Sequence, residues 1–244
     1  MKKIKRTLCV FLATCTLVSL MCFTASAKSD GAYDTQFPSF EKIQELFPEL
    51  QLSENGHVLN FPVVYSNAND LTSDEWLEIH ASPVAEYTAE DGSDTYLLQV
   101  YADGTFSTAG VLVLEKGTGT RSAGTSLSST QLKVYWKEWY TDIQYSMYYY
   151  VNVGKTSSGY TTFSYTGFNY CYASVQDILP VGYTASASPG RVYITNATQN
   201  AGDRASAYSM ATCYLNGMAL HRMRLTVFGN KGNYTVSTST LAPS

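Results

Sequence analysis

A mainly β protein is what the 244-residue sequence predicts: an antiparallel β-sandwich or partly open barrel in the C-terminal region, preceded by a smaller α+β region. Three observations carry that expectation. Charged residues make up only 15% of the chain, while 20 Tyr, 17 Gly and many Ser, Thr and Asn favour pleated sheet with polar loops. Short β-prone runs are punctuated by Asp91-Gly92, Asp103-Gly104 and Asn216-Gly217, dipeptides suited to tight hairpins. From Val84 onward, by contrast with the residues before it, the pattern is that of β-strands.

Lys2, Lys3, Lys5 and Arg6 precede an apolar run, Leu8–Phe23, which ends in Ala25-Ser26-Ala27. A basic start, an apolar middle and small residues at a cleavage point predict a secretory signal over residues 1–27 and hence an extracellular location. Thr14, Thr16 and Ser19 interrupt the run, and no later stretch is apolar enough to cross a bilayer, so no membrane span is expected after cleavage. Losing those four of 16 basic residues leaves 12 against 20 acidic ones, a balance that argues against nucleic acid as a partner.

Residues 28–116 form an acidic α+β region. Phe40, Ile43, Leu46 and Phe47 recur at helical spacing, Ser39 suits the N-cap and Pro48 stops the helix. His57–Tyr65 reads as a strand, broken by Pro62 and therefore near an edge. Leu71–Ile79 reads either as a helix, with Thr72 and Glu75 at capping-box spacing, or as a strand through Trp76, Leu77 and Ile79. Val84–Thr88, Tyr96–Tyr101 and Phe106–Leu114 are strands. Gly/Ser/Thr-rich residues 117–130 are a linker or a long hairpin loop.

Residues 131–244 are a Tyr-rich antiparallel β domain. Its strands are Leu132–Tyr140, Tyr145–Val153, Tyr160–Phe168, Tyr183–Ala187, Val192–Thr195, Ala205–Leu215, Met218–Phe228 and Tyr234–Thr238. A two-residue turn at Asn216-Gly217 sets Tyr208 opposite Leu225, Met210 opposite Met223 and Tyr214 opposite Ala219, a face expected in the core. In that register Ser209, Ala211, Arg222 and Arg224 face solvent, and His221 lies opposite Thr212.

Fourteen of the 20 Tyr fall between Tyr135 and Tyr214, with Trp136 and Trp139 among them. Strand alternation puts Tyr135 and Trp139 on one face and Trp136 and Tyr140 on the other; with one face in the core the other presents rings outward, and Trp136, Trp139, Tyr148 and Tyr150 are the residues expected to meet a ligand. Flat rings with polar edges suit a carbohydrate or a peptide, which points to a cell-wall or host polysaccharide, or a protein, as partner. Covering of hairpin surfaces is the structural alternative for the same rings.

Only Cys171 and Cys213 remain after signal removal, and an exported pair is a disulfide candidate, with two buried free thiols as the alternative. No metal site or cofactor is expected: Asn67, Asn69, Asp70 and Asp74 do not match a calcium loop, and His57, His80 and His221 have no zinc-ligand spacing.

Asn169–Leu179, with small residues after Cys171, resembles the nucleophile helix of papain-like cysteine peptidases, and His221 followed by Leu225, Val227 and Phe228 resembles their base-bearing strand. That resemblance implies a thiol peptidase using Cys171, His221 and Asn230, although no Gln precedes Cys171 to complete an oxyanion hole. Through Tyr208–Ser237, with its Asn-Gly hairpin and closing strand, the chain also resembles uncharacterised secreted all-β proteins of Gram-positive bacteria, which implies no activity. The leading expectation is a secreted, non-enzymatic binding or cell-surface protein with an aromatic-rich sheet as contact face, the peptidase being the alternative.

Overall fold

The computed structural model describes residues 37–62, 72–114, 130–140, 143–177 and 184–243. The expected signal (1–27), most of the Gly/Ser/Thr stretch (117–129) and the end of the expected strand at 63–65 lie outside the described residues. The chain divides between Ile43 and Gln44 into two compact units. The described part of the first begins helix α1 (Phe40–Leu46), where the Ser39 hydroxyl accepts the Lys42 N–H at 3.2 Å, the N-cap bond expected.

Within residues 44–244, helix α2 (Ser73–His80) carries the full capping box: Thr72 accepts the Glu75 N–H, and the Glu75 carboxylate accepts the Thr72 N–H. The helical alternative for this segment is therefore the one adopted. Eleven strands follow among the described residues: β1 (Ala85–Asp91), β2 (Asp94–Val100), β3 (Phe106–Leu114), β4 (Thr130–Tyr140), β5 (Ile143–Lys155), β6 (Thr161–Tyr165), β7 (Tyr172–Asp177), β8 (Ala185–Asn196), β9 (Ala205–Leu215), β10 (Met218–Asn230) and β11 (Asn233–Leu241).

They form two antiparallel sheets, neither closed into a barrel. One runs β1-β2-β3-β4-β5, with β6 and β7 both pairing the far side of β5; the other runs β11-β10-β9-β8. β3 pairs β4, so the strands on either side of residues 115–129 are neighbours within one sheet. The expected strand at 57–65 is reduced to isolated bridges, Leu52 with Val58 and His57 with Thr105. Two expected strands, 183–187 and 192–195, are one strand, β8, whose irregular pairing at Pro189–Val192 accommodates the missing proline N–H at a sheet edge.

The sheets pack face to face. The interface is apolar, with Leu132, Val134, Trp136, Met147, Tyr149 and Val151 from one sheet against Ala207, Ala211, Met223, Leu225 and Val227 from the other. Tyrosine hydroxyls clamp the two layers: Tyr145 donates to the Tyr214 carbonyl at 2.8 Å, and Tyr149 donates to the carbonyls of Ala207 and Leu225 at 3.1 and 3.2 Å. Such bonds let a large ring be buried without leaving its polar end unsatisfied.

The hairpin β9–β10 departs from the expected register in one place. Asn216 and Gly217 both have positive φ (49° and 77°), as the tight turn requires, and Tyr214 does face Ala219. A bulge then intervenes: Ala219 pairs Tyr214, but His221 pairs Cys213, leaving Leu220 as the extra residue. Every later pair is shifted by one, Met223 with Ala211 and Leu225 with Ser209. A one-residue slip exchanges the faces of a strand. The core face is thus Cys213, Ala211, Ser209 and Ala207 with His221, Met223, Leu225 and Val227, while Tyr208, Met210 and Tyr214 lie half-buried on the other face with Arg222.

Candidate functional site

The residues expected to present rings to a ligand are mostly enclosed. Trp136 faces the layer between the sheets and is 0% exposed. Trp139 lies on the opposite face of β4 but is covered by the backbone at Gly56, where a Cβ would fall inside the indole. Gly56 also takes φ +81°, and its carbonyl accepts the Phe106 N–H, so the segment around Gly56 lies over this end of the sheet. Tyr148 is buried and Tyr150 half-buried. Trp136 and Trp139 are therefore core and cover residues, not contact residues. The expectation failed because the centre of the seven-stranded sheet is buried on both faces.

Open rings occur farther along the same outer face. Tyr148 stacks on Tyr172 at 4.7 Å, Tyr150 meets Tyr172 edge-on at 6.4 Å, and Phe168 lies 5.1 Å from Tyr172 and 6.0 Å from Tyr170. Phe168 is 50% exposed and Tyr170 41%. Thr166 orders the turn before them, its hydroxyl donating to the Phe168 carbonyl at 2.7 Å. Arg191 Nε donates to the Tyr170 hydroxyl at 3.1 Å. Beneath the ledge, the Lys133 ammonium lies 4.5 Å from the centre of the Tyr148 ring. Burial, then repulsion from Lys137, pushes the Lys133 amine down to about 8.

The cysteines do not form a disulfide; both are buried and free. Their thiols have separate surroundings. Cys171 Sγ accepts the Gly190 N–H at 3.3 Å and donates to the Met210 carbonyl at 3.5 Å. Burial raises its pKa, opposite to what a peptidase nucleophile needs. The residues after it form strand β7 and not a helix, so no helix dipole acts on the thiol. His221 pairs Cys213 and bonds Glu138, and Asn230 accepts the Gln199 amide at 2.6 Å. The papain-like set Cys171, His221 and Asn230 is thus dispersed.

A second constellation, which sequence reading missed, is buried. His80 Nε2 is 3.2 Å from Asp103 Oδ2 and 3.2 Å from Thr105 Oγ1, while Thr105 donates through both its hydroxyl and its N–H to Asp103 Oδ1. Burial raises the Asp103 pKa, but the bond and charge of His80, with the two Thr105 bonds, outweigh it and hold the carboxyl below its ordinary value. Rings join this group to its neighbour: Tyr101 stacks on His80 at 4.1 Å, His80 on Trp76 at 3.9 Å, and Trp76 lies 4.7 Å from His221. His221 Nε2 bonds Glu138 Oε1 at 2.5 Å, and Thr240 donates to Glu138 Oε2 at 3.4 Å. Cys213 completes the group, its pKa raised by burial and then by the Glu138 charge. Nδ1 of both histidines is buried without a hydrogen-bond partner.

The pieces were legible separately. Glu138 is the one charged residue on the core-facing parity of Trp136, Glu138 and Tyr140, and Cys213 and His221 bracket the Asn216-Gly217 turn. The bulge at Leu220 that unites the last two has no sequence marker. Among the described residues, no helix is long and apolar enough to cross a membrane. Compared with protein-family models, curated proteins and solved structures, the chain matches none.

Proposed function

We propose that the chain is an exported, non-enzymatic binding protein that holds a polysaccharide, of a cell wall or a host surface, against the rings of Tyr150, Phe168, Tyr170 and Tyr172. The observation that carries this reading is the unbroken run from the exposed Phe168 and Tyr170 through Tyr172 to Tyr148 and Tyr150. A sugar ring offers an apolar C–H face and a rim of hydroxyls. An aromatic ledge with phenol edges and the Arg191 guanidinium beside it matches both. Rigid rings also lose little conformational entropy on contact. The predicted signal over residues 1–27 supports export, and the acidic balance of the remaining chain disfavours nucleic acid.

The test is saturable binding of the signal-free chain to insoluble cell-wall material and to a panel of soluble polysaccharides. Phe168→Ala and Tyr172→Ala should each weaken binding by about tenfold or more, since a ring at the centre of a contact is worth above about 1 kcal/mol. An absence of binding across the panel, or binding unchanged in the double variant, would overturn the assignment.

A further inference from the structure

We propose that Glu138, Cys213 and His221 form a binding site for one divalent transition-metal ion of the zinc type, tying the two sheets together. Each residue offers one ligand atom, and the three atoms lie within 4.8 Å of one another. An ion bound at ordinary zinc–sulfur, zinc–nitrogen and zinc–oxygen distances holds tetrahedral donors roughly 3.3–3.8 Å apart, so rotamer-scale adjustment suffices. The donors come from both layers, Glu138 from β4 and the other two from β9 and β10.

Three independent features point to a ligand. The first is cost: Glu138 and His221 are each 0% exposed, and the rings of Trp76, Tyr140 and Tyr145 pack around His221. A carboxylate is rarely buried without strong charge compensation, and a divalent cation supplies it. The second is the imidazole, whose Nδ1 has no hydrogen-bond partner although fully enclosed. The third is the bulge at Leu220. Without it, His221 would share the outward face of Ala219; with it, His221 turns inward beside Cys213. Bulges commonly re-aim a side chain at a site, and here the re-aimed side chain is a metal ligand type.

The donor set selects the ion class. Thiolate, imidazole and carboxylate together suit zinc, whereas calcium and magnesium prefer all-oxygen shells. On binding, the Cys213 sulfur gives up its proton to solvent and forms the metal–sulfur bond, while an imidazole nitrogen and a Glu138 oxygen donate lone pairs; no oxidant or reductant takes part. Three protein donors leave a fourth tetrahedral position for water. Thr240, bonded to the second Glu138 oxygen, orients the carboxylate.

The experiment uses the signal-free chain, stripped with chelator and titrated with Zn²⁺, Co²⁺ and Ca²⁺. The expected result is one tightly held Zn²⁺ per chain, a raised melting temperature, and a Co²⁺ complex showing the thiolate-to-metal charge-transfer band. Ca²⁺ should do neither. Cys213→Ser should abolish that band and weaken Zn²⁺ binding by more than about 100-fold, exceeding the usual effect of losing a ligand's supporting partner. Should Cys213→Ser fail to fold, the wild-type Co²⁺ spectrum decides alone. Zinc lost on gel filtration, a Co²⁺ spectrum without a thiolate band, or an unaltered spectrum in Cys213→Ser would each overturn the site.

Discussion

The two sheets bury their strands in different ways. In the four-stranded sheet, β9 alternates between buried and half-buried positions from Ala205 to Tyr214, and Tyr193 on β8 is 44% exposed. In the seven-stranded sheet, β4 is buried almost continuously from Leu132 to Tyr140. The second sheet covers one of its faces. Its other face is closed at Trp139 by the loop at Gly56 and elsewhere by its own large side chains, Tyr135 and Tyr148 among them. The difference teaches that Tyr and Trp content does not locate a contact surface. The same ring is a core element on a doubly covered strand and a partly exposed one, like Tyr193, on a singly covered strand.

The largest expected effect separates the two environments. Trp136→Ala should cost about 3–5 kcal/mol of unfolding free energy, because a fully enclosed indole leaves a cavity. Tyr193→Ala, on the open face of the other sheet, should cost about 1 kcal/mol or less. Urea unfolding of both variants tests this, and equal losses would mean the sheets are not differently buried.

A smaller effect sharpens the closed face of β4. Lys133 holds its proton less firmly in the folded chain, about 8 against 10.5. Between those values the unfolded chain carries the proton and the folded chain does not, so stability rises with pH across that window. The gain has an upper bound of about 3 kcal/mol. Lys133→Met should lose this rise, so the difference between its unfolding free energy and that of wild type should change steadily from about pH 8 to 10. Parallel pH profiles would contradict the burial assigned to that ammonium.

The smallest effect belongs to the solvated sheet. Arg224 lies 4.4 Å from the centre of the Tyr208 ring on an exposed face, and Arg224→Ala should change stability by about 0.5–1 kcal/mol. Thermal melts at low and high salt check it. A loss above about 2 kcal/mol would show that this face is also covered.

Local chemistry was legible wherever a few adjacent residues decide the outcome. Ser39 caps α1, Thr72 and Glu75 box α2, and the turns at Asp91-Gly92, Asp103-Gly104 and Asn216-Gly217 fall where the dipeptides put them, with positive φ at each glycine. The ring ledge was half legible: Tyr148 and Tyr150 were singled out, but Phe168, Tyr170 and Tyr172 were not. Tyr170 and Tyr172 flank Cys171 in a segment read as helical by resemblance. The buried Glu138, Cys213 and His221 group was not legible, because three residues spread over 84 positions meet only after two sheets stack.

By itself, the sequence determined the mainly β class, several antiparallel hairpins and the cap of α1, and it offered the capping box of α2 beside a strand alternative. Those depend on local backbone preference and on the alternation of side chains, which the sequence states directly. Tertiary structure alone decided which face of each strand is inside, which rings remain open, that the cysteines stay apart, and that His221 points at Cys213. The physical reason lies in the two-residue period of a strand. A single extra residue such as Leu220 reverses every side chain beyond it, and a covering loop such as that at Gly56 turns an outer face into an inner one. Neither the extra residue nor the loop is marked by the residues whose fate it changes.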